Sequence, residues 1–201
     1  MKYAVGLRPE DKFWNMADPG WAYGLYYAVV GALLSGNATH FYEGAFSVES
    51  TYKMLEKYEI TVLASAPTAY RLLMAGGADL ADACQAKLRA ACAAGEPLNP
   101  EVTRWVNDHL GCPIRDHYGQ TEIAMVVCNH HGLDHPSPPG SMGVPMPGFR
   151  AVIIDGEGRE LGPGTPGQIA IDIDASPLYW FLGYEANESP IKGKYYIAGD
   201  M

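Results

Sequence analysis

Two short apolar runs, each followed by a proline placed to open a helix, constrain this chain more than any other feature. Residues 60–64 (Ile-Thr-Val-Leu-Ala) are β-rich and uninterrupted, as expected of a strand buried on both faces. Pro67 then stands where the first residue of a helix would be, and Gly76-Gly77 stops that helix. The pattern repeats. Residues 88–94 read as a buried strand of small side chains. Asn99 as N-cap, Pro100 at the first helical position and Glu101 in the first turn open a helix that Gly111 ends. Residues 113–116 form a short third strand, with a turn expected at Tyr118-Gly119. Upstream, residues 21–34 read as a buried helix after the turn Asp18-Pro19-Gly20, and Val48, Tyr52 and Leu55 recur at helical spacing behind a Ser47 cap. Such alternation implies an α/β fold, with a mostly parallel sheet covered by helices.

The texture changes after about residue 130. His135-Pro136-Ser137-Pro138-Pro139-Gly140 is a rigid loop, residues 150–155 a strand, and Gly156-Glu157-Gly158-Arg159 a hairpin-type turn. Residues 168–174 alternate, placing Ile169, Ile171 and Ile173 on one face and Asp172 and Asp174 on the other, the second pair expected in water. We therefore divide the chain into an α/β part, 1–130, and a small antiparallel β-rich subdomain, 131–201.

Charge narrows the partners. With 14 Lys and Arg against 23 Asp and Glu, the net charge is −9, and no basic cluster offers a surface to nucleic acid or anionic membranes. Any phosphate must be held by local geometry, a metal ion or residues from elsewhere. The four cysteines form no CxxC pair and suit reduced, mostly buried thiols, hence a cytoplasmic setting. The first residues lack the apolar core of a signal peptide, and residues 21–34 fall short of the roughly 20 needed to span a bilayer. The sequons at Asn37 and Asn187 are read as chance.

The richest chemistry lies in Asp116-His117-Tyr118-Gly119-Gln120-Thr121-Glu122, at the carboxyl edge of a predicted strand, where open α/β folds place ligands. An aromatic face, a hydroxyl donor and acidic oxygens are the parts a nucleotide and Mg²⁺ need. Ala94-Gly95-Glu96-Pro97-Leu98 ends the preceding strand, where glycine lets backbone approach a ligand. Tyr195-Tyr196-Ile197-Ala198-Gly199-Asp200 sets an Asp after a strand. In order and context these elements resemble the adenylate-forming superfamily, and most closely its acetyl-CoA and medium-chain acyl-CoA synthetases. Ala66-Pro67-Thr68-Ala69-Tyr70-Arg71, Gly140-Ser141-Met142-Gly143, Pro163-Gly164-Thr165-Pro166-Gly167 and Gly183-Tyr184 extend the likeness over nearly the whole chain.

The resemblance implies an ATP-dependent ligase joining a small carboxylic acid to coenzyme A through an acyl-adenylate, with release of AMP. It implies that Gly95, Glu96 and Pro97 frame the adenine, that Asp116, His117 and Tyr118 complete the base pocket, and that Tyr118 stacks on the ring. Thr121 would donate to the α-phosphate and Glu122 would bind Mg²⁺. Gln120 would line the phosphate or carboxylate side, and Asp200 would accept both ribose hydroxyls. Where acetate-specific relatives carry Trp, Gly119 either leaves room for a longer or aromatic acid, lined by Trp21 and Met125, or serves the backbone alone; both readings stand open.

The family's phosphate loop with its Lys, and its small domain with a catalytic Lys, have no counterpart in these residues. The expectation is a central piece of a longer enzyme's large domain, inactive alone and prone to self-association as a homodimer. The alternative is a non-catalytic nucleotide-binding or interaction module. Ile123-Ala124 replaces the family's Thr-Gly, with a packing role expected. Arg71 is expected to pair with an acid. His130, His131, His135 and Cys128 fit no familiar zinc spacing.

Overall fold

A computed structural model describes residues 1–185 and 189–200. The sequon at Asn187 lies outside them. The first sheet runs in the order β2-β1-β3-β4-β5-β6-β7. Strands β1 (Lys12–Asn15), β2 (Ala38–His40), β3 (Val62–Ser65), β4 (Ala90–Ala94) and β5 (Ile114–Gln120) are parallel. Strands β6 (Ala124–Cys128) and β7 (Val144–Pro145) join antiparallel. The second sheet, wholly antiparallel, holds β8 (Ala151–Ile154), β9 (Gln168–Asp172), β10 (Ile191–Lys192) and β11 (Tyr195–Ile197) in the order β10-β11-β9-β8. This is the α/β architecture expected, a mostly parallel sheet followed by an antiparallel one.

The helices start where their caps dictate. Helix α2 (Val48–Lys57) opens on a capping box between Ser47 and Ser50, and α5 (Pro100–His109) on the Asn99 side chain, which accepts from the Val102 N–H at 2.9 Å. Helix α3 (Pro67–Ala75) has Pro67 in its first turn, and a short α4 (Ala78–Ala83) follows. Strand β4 is buried along its whole length. Its side chains alternate between two cores. Ala91 and Ala93 meet Leu55, Tyr70, Leu73, Val102 and Val106 from the helices, while Ala90, Cys92 and Ala94 face Tyr23, Tyr27 and Ala32 across the sheet. Small residues on β4 let helices on both sides approach closely. Within the first core, the Tyr70 hydroxyl donates to the carbonyls of Leu63 and Cys92 at 3.2 and 3.0 Å.

Three expectations need correction. Residues 21–34 form a π-helix (Gly24–Gly31) running into the short α1 (Ala32–Leu34), and it is only half buried. Trp21, Leu33 and Leu34 are 74%, 62% and 83% exposed. The segment is apolar all round, but the sheet covers one face only, through Tyr23, Tyr27, Ala28 and Ala32. Next, no turn forms at Tyr118-Gly119. Strand β5 continues to Gln120 because antiparallel β6 offers it a partner, and a register shift between Tyr118 and Gly119 absorbs the irregularity. Finally, Asp172 is buried rather than solvated. Strand β9 lies between β8 and β11, so its outward face is roofed by Arg150 at 2.6 Å and Lys194 at 2.9 Å. Asp174, past the strand end, is exposed.

The two sheets meet through Ile123, Val126 and Val127 against Ile171 and Tyr196, so Ile123 does pack, as expected. Ala124 beside it adopts φ 54°, the left-handed region. That conformation costs a non-glycine residue roughly 1–2 kcal/mol, while glycine's added chain entropy opposes about 0.5–1 kcal/mol. Ala124→Gly is therefore expected to raise the thermal midpoint slightly; a lower midpoint by calorimetry would show that the methyl packs usefully.

No helix among the described residues is long and apolar enough to cross a membrane. All four cysteines are unpaired, with Cys92, Cys112 and Cys128 buried.

Candidate functional site

The carboxyl ends of β4 and β5 set the site. Their register pairs Ala93 with Asp116 and Ala94 with His117, so the chain leaving β4 at Gly95 runs alongside Tyr118. Gly95 has φ 94° and open space where a Cβ would be, so backbone conformation selects glycine here and the approach stays clear. Glu96 turns back to α3. The Thr68 hydroxyl donates to its carboxylate at 2.7 Å, Arg71 pairs with it, and together they hold it below the usual carboxylate range. Arg71 thus meets an acid, and the pair anchors the segment leading to exposed Pro97.

Along β5 the side chains alternate. Asp116 and Tyr118 face the crevice; His117 faces the other way. The His117 ring is buried with its centroid 6.2 Å from that of Tyr27, and both nitrogens lack partners among the described residues. Burial lowers its pKa to about 3, so the imidazole is neutral at pH 7. Only its backbone lies along the crevice. Asp116 is half buried, and burial pushes its carboxyl up to about 6, opposed by the backbone N–H groups of Leu98 and His117.

Asp200 closes the arrangement. Beyond β11 the chain stays paired with β9: the Ala198 N–H donates to the Ile169 carbonyl and the Ile169 N–H to the Asp200 carbonyl, both at 3.0 Å. This carries the Asp200 carboxylate to β5, where Oδ2 accepts from the Tyr118 hydroxyl at 2.6 Å and from Gln120 Nε2 at 3.0 Å. Burial, then Asp200, raises the Tyr118 phenol pKa. Gln120 Nε2 also donates to the Ala198 carbonyl at 2.7 Å, and its Oε1 accepts from the Tyr196 hydroxyl at 2.7 Å. Both ends of that amide are therefore engaged within the protein. Oδ1 of Asp200 takes no hydrogen bond among the described residues and is open to a donor.

At the hairpin tip, Thr121 is exposed, its carbonyl accepting from Tyr26 at 3.2 Å. Glu122 accepts from the Tyr184 hydroxyl. Among the described residues no group of three or more His, Cys, Asp and Glu could hold a metal ion; a cation at Glu122 would need its other ligands from a bound molecule and water. Gly119 pairs in register with Met125. A Cβ at Gly119 would lie 1.9 Å from the Ala124 carbonyl oxygen, so this backbone excludes any side chain. Met125 is buried with the cluster under the π-helix, whereas Trp21 stays exposed and outside every buried cluster.

Thus the fold joins Tyr118, Gln120 and Asp200 by hydrogen bonds, sets Asp116 two residues before Tyr118 on β5 and Gly95 just past the β4 register beside them, and leaves Thr121 and Glu122 just beyond the end of β5. The supporting hydroxyls of Tyr26, Tyr184 and Tyr196 were not foreseen. Tyr184 and Tyr196 sit in segments already singled out, so aromatic residues next to such segments were the available signal. Chemically, the crevice offers a flat aromatic wall, an unhindered backbone edge, a half-buried acceptor at one end and a carboxylate acceptor at the other.

Similarity to known proteins extends over nearly the whole chain. A family model described as AMP-binding enzyme matches residues 1–180. The acetyl-coenzyme A synthetase of Bacillus subtilis (strain 168) is 37% identical over 206 residues, covering 99% of this chain and 35% of the relative. The mitochondrial acyl-coenzyme A synthetase ACSM3 of Homo sapiens is 35% identical over 206 residues, covering 99% of this chain and 34% of its own. The crystal structure of Brucella canis acyl-CoA synthetase matches with TM-score 0.96 at 56% identity, over 99% of this chain and 37% of that one. The chain spans about a third of the length of the relatives it matches.

Proposed function

Because this chain belongs to the AMP-binding enzyme family, we propose that it supplies the adenosine site of an ATP-dependent carboxylic acid–CoA ligase. In that reaction a carboxylate oxygen attacks the α-phosphorus of ATP, the bond to pyrophosphate breaks, and an acyl-adenylate forms. The CoA thiol then attacks the acyl carbon and AMP departs. Both partners of the first step are anions, so the protein's task is positioning and charge placement.

The observation that most supports this reading is the meeting of Asp200 with Tyr118 beside Gly95. A diol would hydrogen-bond to Asp200 while the base lies on Tyr118 against the Gly95-Glu96-Pro97 backbone, its 6-amino group toward Asp116. We assign Gln120 to positioning: it holds Asp200 rather than touching phosphate, since its amide is fully engaged. Thr121 would donate to the α-phosphate. Glu122, a single carboxylate at the rim, fits a Mg²⁺ ion that keeps waters and substrate phosphates as its other ligands. Mg²⁺ would supply neutralisation of phosphate charge. The chain's division at residue 130, a cytoplasmic setting and homodimerisation of the exposed apolar face bearing Leu33 and Leu34 are parts of the same proposal.

The expected result for the 201-residue chain is saturable AMP binding by calorimetry without acid-dependent ATP–pyrophosphate exchange. Exchange activity would contradict the assigned division of labour; absence of AMP binding would sink the nucleotide site.

Asp116 adds a pH dependence with two opposite signs. Its folded-state pKa of about 6 lies above the ordinary carboxylate value. The folded chain therefore holds this proton more tightly than the unfolded one, and the stability that results is present at low pH and lost as pH rises through about 6. AMP affinity runs the other way, weakening as pH falls through that value because a protonated carboxyl is a poorer acceptor for the amino group. Asp116→Asn should flatten the stability profile between about pH 4 and 6 and the affinity profile between about pH 5 and 7, read by thermal melts and AMP titration. A variant whose profiles still track the wild type would exonerate this carboxyl.

A further inference from the structure

A cavity of about 330 Å³ opens beside Asp116, at the small end of the roughly 300–1,000 Å³ range of ligand pockets. Its floor is Ile114 of β5, its wall the start of α5 with Pro100 and Thr103, and its outer side Leu98 and Pro138. Of the crevice residues, only Asp116 lines it; Gly95, Tyr118, Gln120 and Asp200 do not.

The order of residues along β5 gives this cavity a direction. Ile114, Asp116 and Tyr118 share one face of the strand, about 7 Å apart at each step of two residues. The carboxylate that would take the ribose sits at the Tyr118 end, hydrogen-bonded to its hydroxyl. A base laid from Tyr118 toward Asp116 therefore points its far edge, the 6-amino edge of adenine, at the cavity mouth. The exposed lining is chiefly apolar, through Leu98, Pro100, Ile114 and Pro138, with the polar side chains Arg104 and Asn129 also bordering the cavity. Asp116 accepts one N–H of the amino group, which leaves the second position on that nitrogen facing the cavity.

We infer that the site accepts adenine nucleotides carrying an apolar substituent on the 6-amino nitrogen, the substituent occupying the cavity between β5, α5 and the Pro138 loop. The inference rests on the reading that Tyr118 and Asp200 hold the adenosine, and goes beyond it by naming a tolerance at the far edge of the base. A buried cavity wall set against the amino edge would reject such nucleotides by steric overlap. This structure has no such wall.

The test is a pair of titrations of the 201-residue chain with AMP and with N6-benzyl-AMP, followed by calorimetry. The two Kd values are expected to agree within about threefold. Filling the cavity with Thr103→Trp, on a residue outside the crevice, is expected to weaken N6-benzyl-AMP at least tenfold and leave AMP unchanged. Wild-type binding of AMP with N6-benzyl-AMP more than thirtyfold weaker would overturn the inference and leave the adenosine site standing. Failure of AMP itself to bind would overturn the site and the inference together. A Thr103→Trp variant that binds both ligands as the wild type does would place the benzyl group elsewhere and overturn the assignment. If that variant fails to fold, the wild-type pair of Kd values still decides.

Discussion

Asp200→Ala is expected to weaken AMP binding by about 100-fold with little change in thermal midpoint. Hydrogen bonds to a charged acceptor contribute about 1.5–3 kcal/mol each, and a ribose presents two hydroxyls to this carboxylate. Losing both costs roughly 3 kcal/mol, which is about two decades in Kd. The side chain's protein contacts are two exposed hydrogen bonds, from Tyr118 and Gln120, so folding loses little. Tyr118→Phe removes one of those bonds and keeps the ring. It should weaken AMP binding by less than tenfold, through a freer carboxylate. Asp174→Ala, an exposed acid past the end of β9, is the matched control and should do nothing. Calorimetric titration of the three variants decides; an Asp200→Ala chain that binds AMP like the wild type would remove the ribose role.

Gly119→Ala carries the largest expected effect on stability. Its added Cβ would sit 1.9 Å from the Ala124 carbonyl oxygen and 2.6 Å from the Met125 Cα, both backbone atoms of the facing strand. Neither can yield as a flexible side chain would, so the hairpin must open or shift register. A cost of about 3 kcal/mol or more is expected, at the upper end of single substitutions, and for a chain of this size that is a fall of roughly 6–12 °C in thermal midpoint. The two readings of Gly119 separate here. If glycine served only to widen an acyl pocket, the alanine variant would melt with the wild type and alter acid preference alone. Differential scanning calorimetry distinguishes them without any assay of activity.

Much of the fold is legible in the chain because its punctuation is local. Ser47, Pro67, Asn99 and Pro100 mark helix starts by satisfying or dispensing with orphan N–H groups, and these effects need no knowledge of the neighbours. Strands β3 and β4 declare themselves as unbroken apolar or small runs. Strands β1 and β2 do not. The Lys-Phe-Trp-Asn and Ala-Thr-His segments are short and mixed, and they become strands only because β3 offers β1 a ladder and β1 in turn offers one to β2. The exposed side of the segment 21–34 was equally hidden, since an all-apolar helix does not say how much of it the sheet will cover.

The candidate site divides the same way. Asp116, Tyr118 and Asp200 were picked out by residue type, order and resemblance, and the fold joins Tyr118 to Asp200 by one hydrogen bond. What sequence could not supply is direction. His117 stands between two crevice residues yet points into the opposite core, a consequence of the period of two along β5. Asp172 looked solvated until two flanking strands brought Arg150 and Lys194 over it. Ala124 gave no local sign that its backbone would be left-handed; that follows from the tight reversal between β5 and β6.

The most direct test is a crystal structure of the chain grown with AMP. The account predicts density for adenine on the Tyr118 ring beside Gly95, with the ribose hydroxyls on Asp200 and the amino group at Asp116. Well-ordered AMP bound away from Tyr118, or bound there with its ribose turned from Asp200, would contradict it.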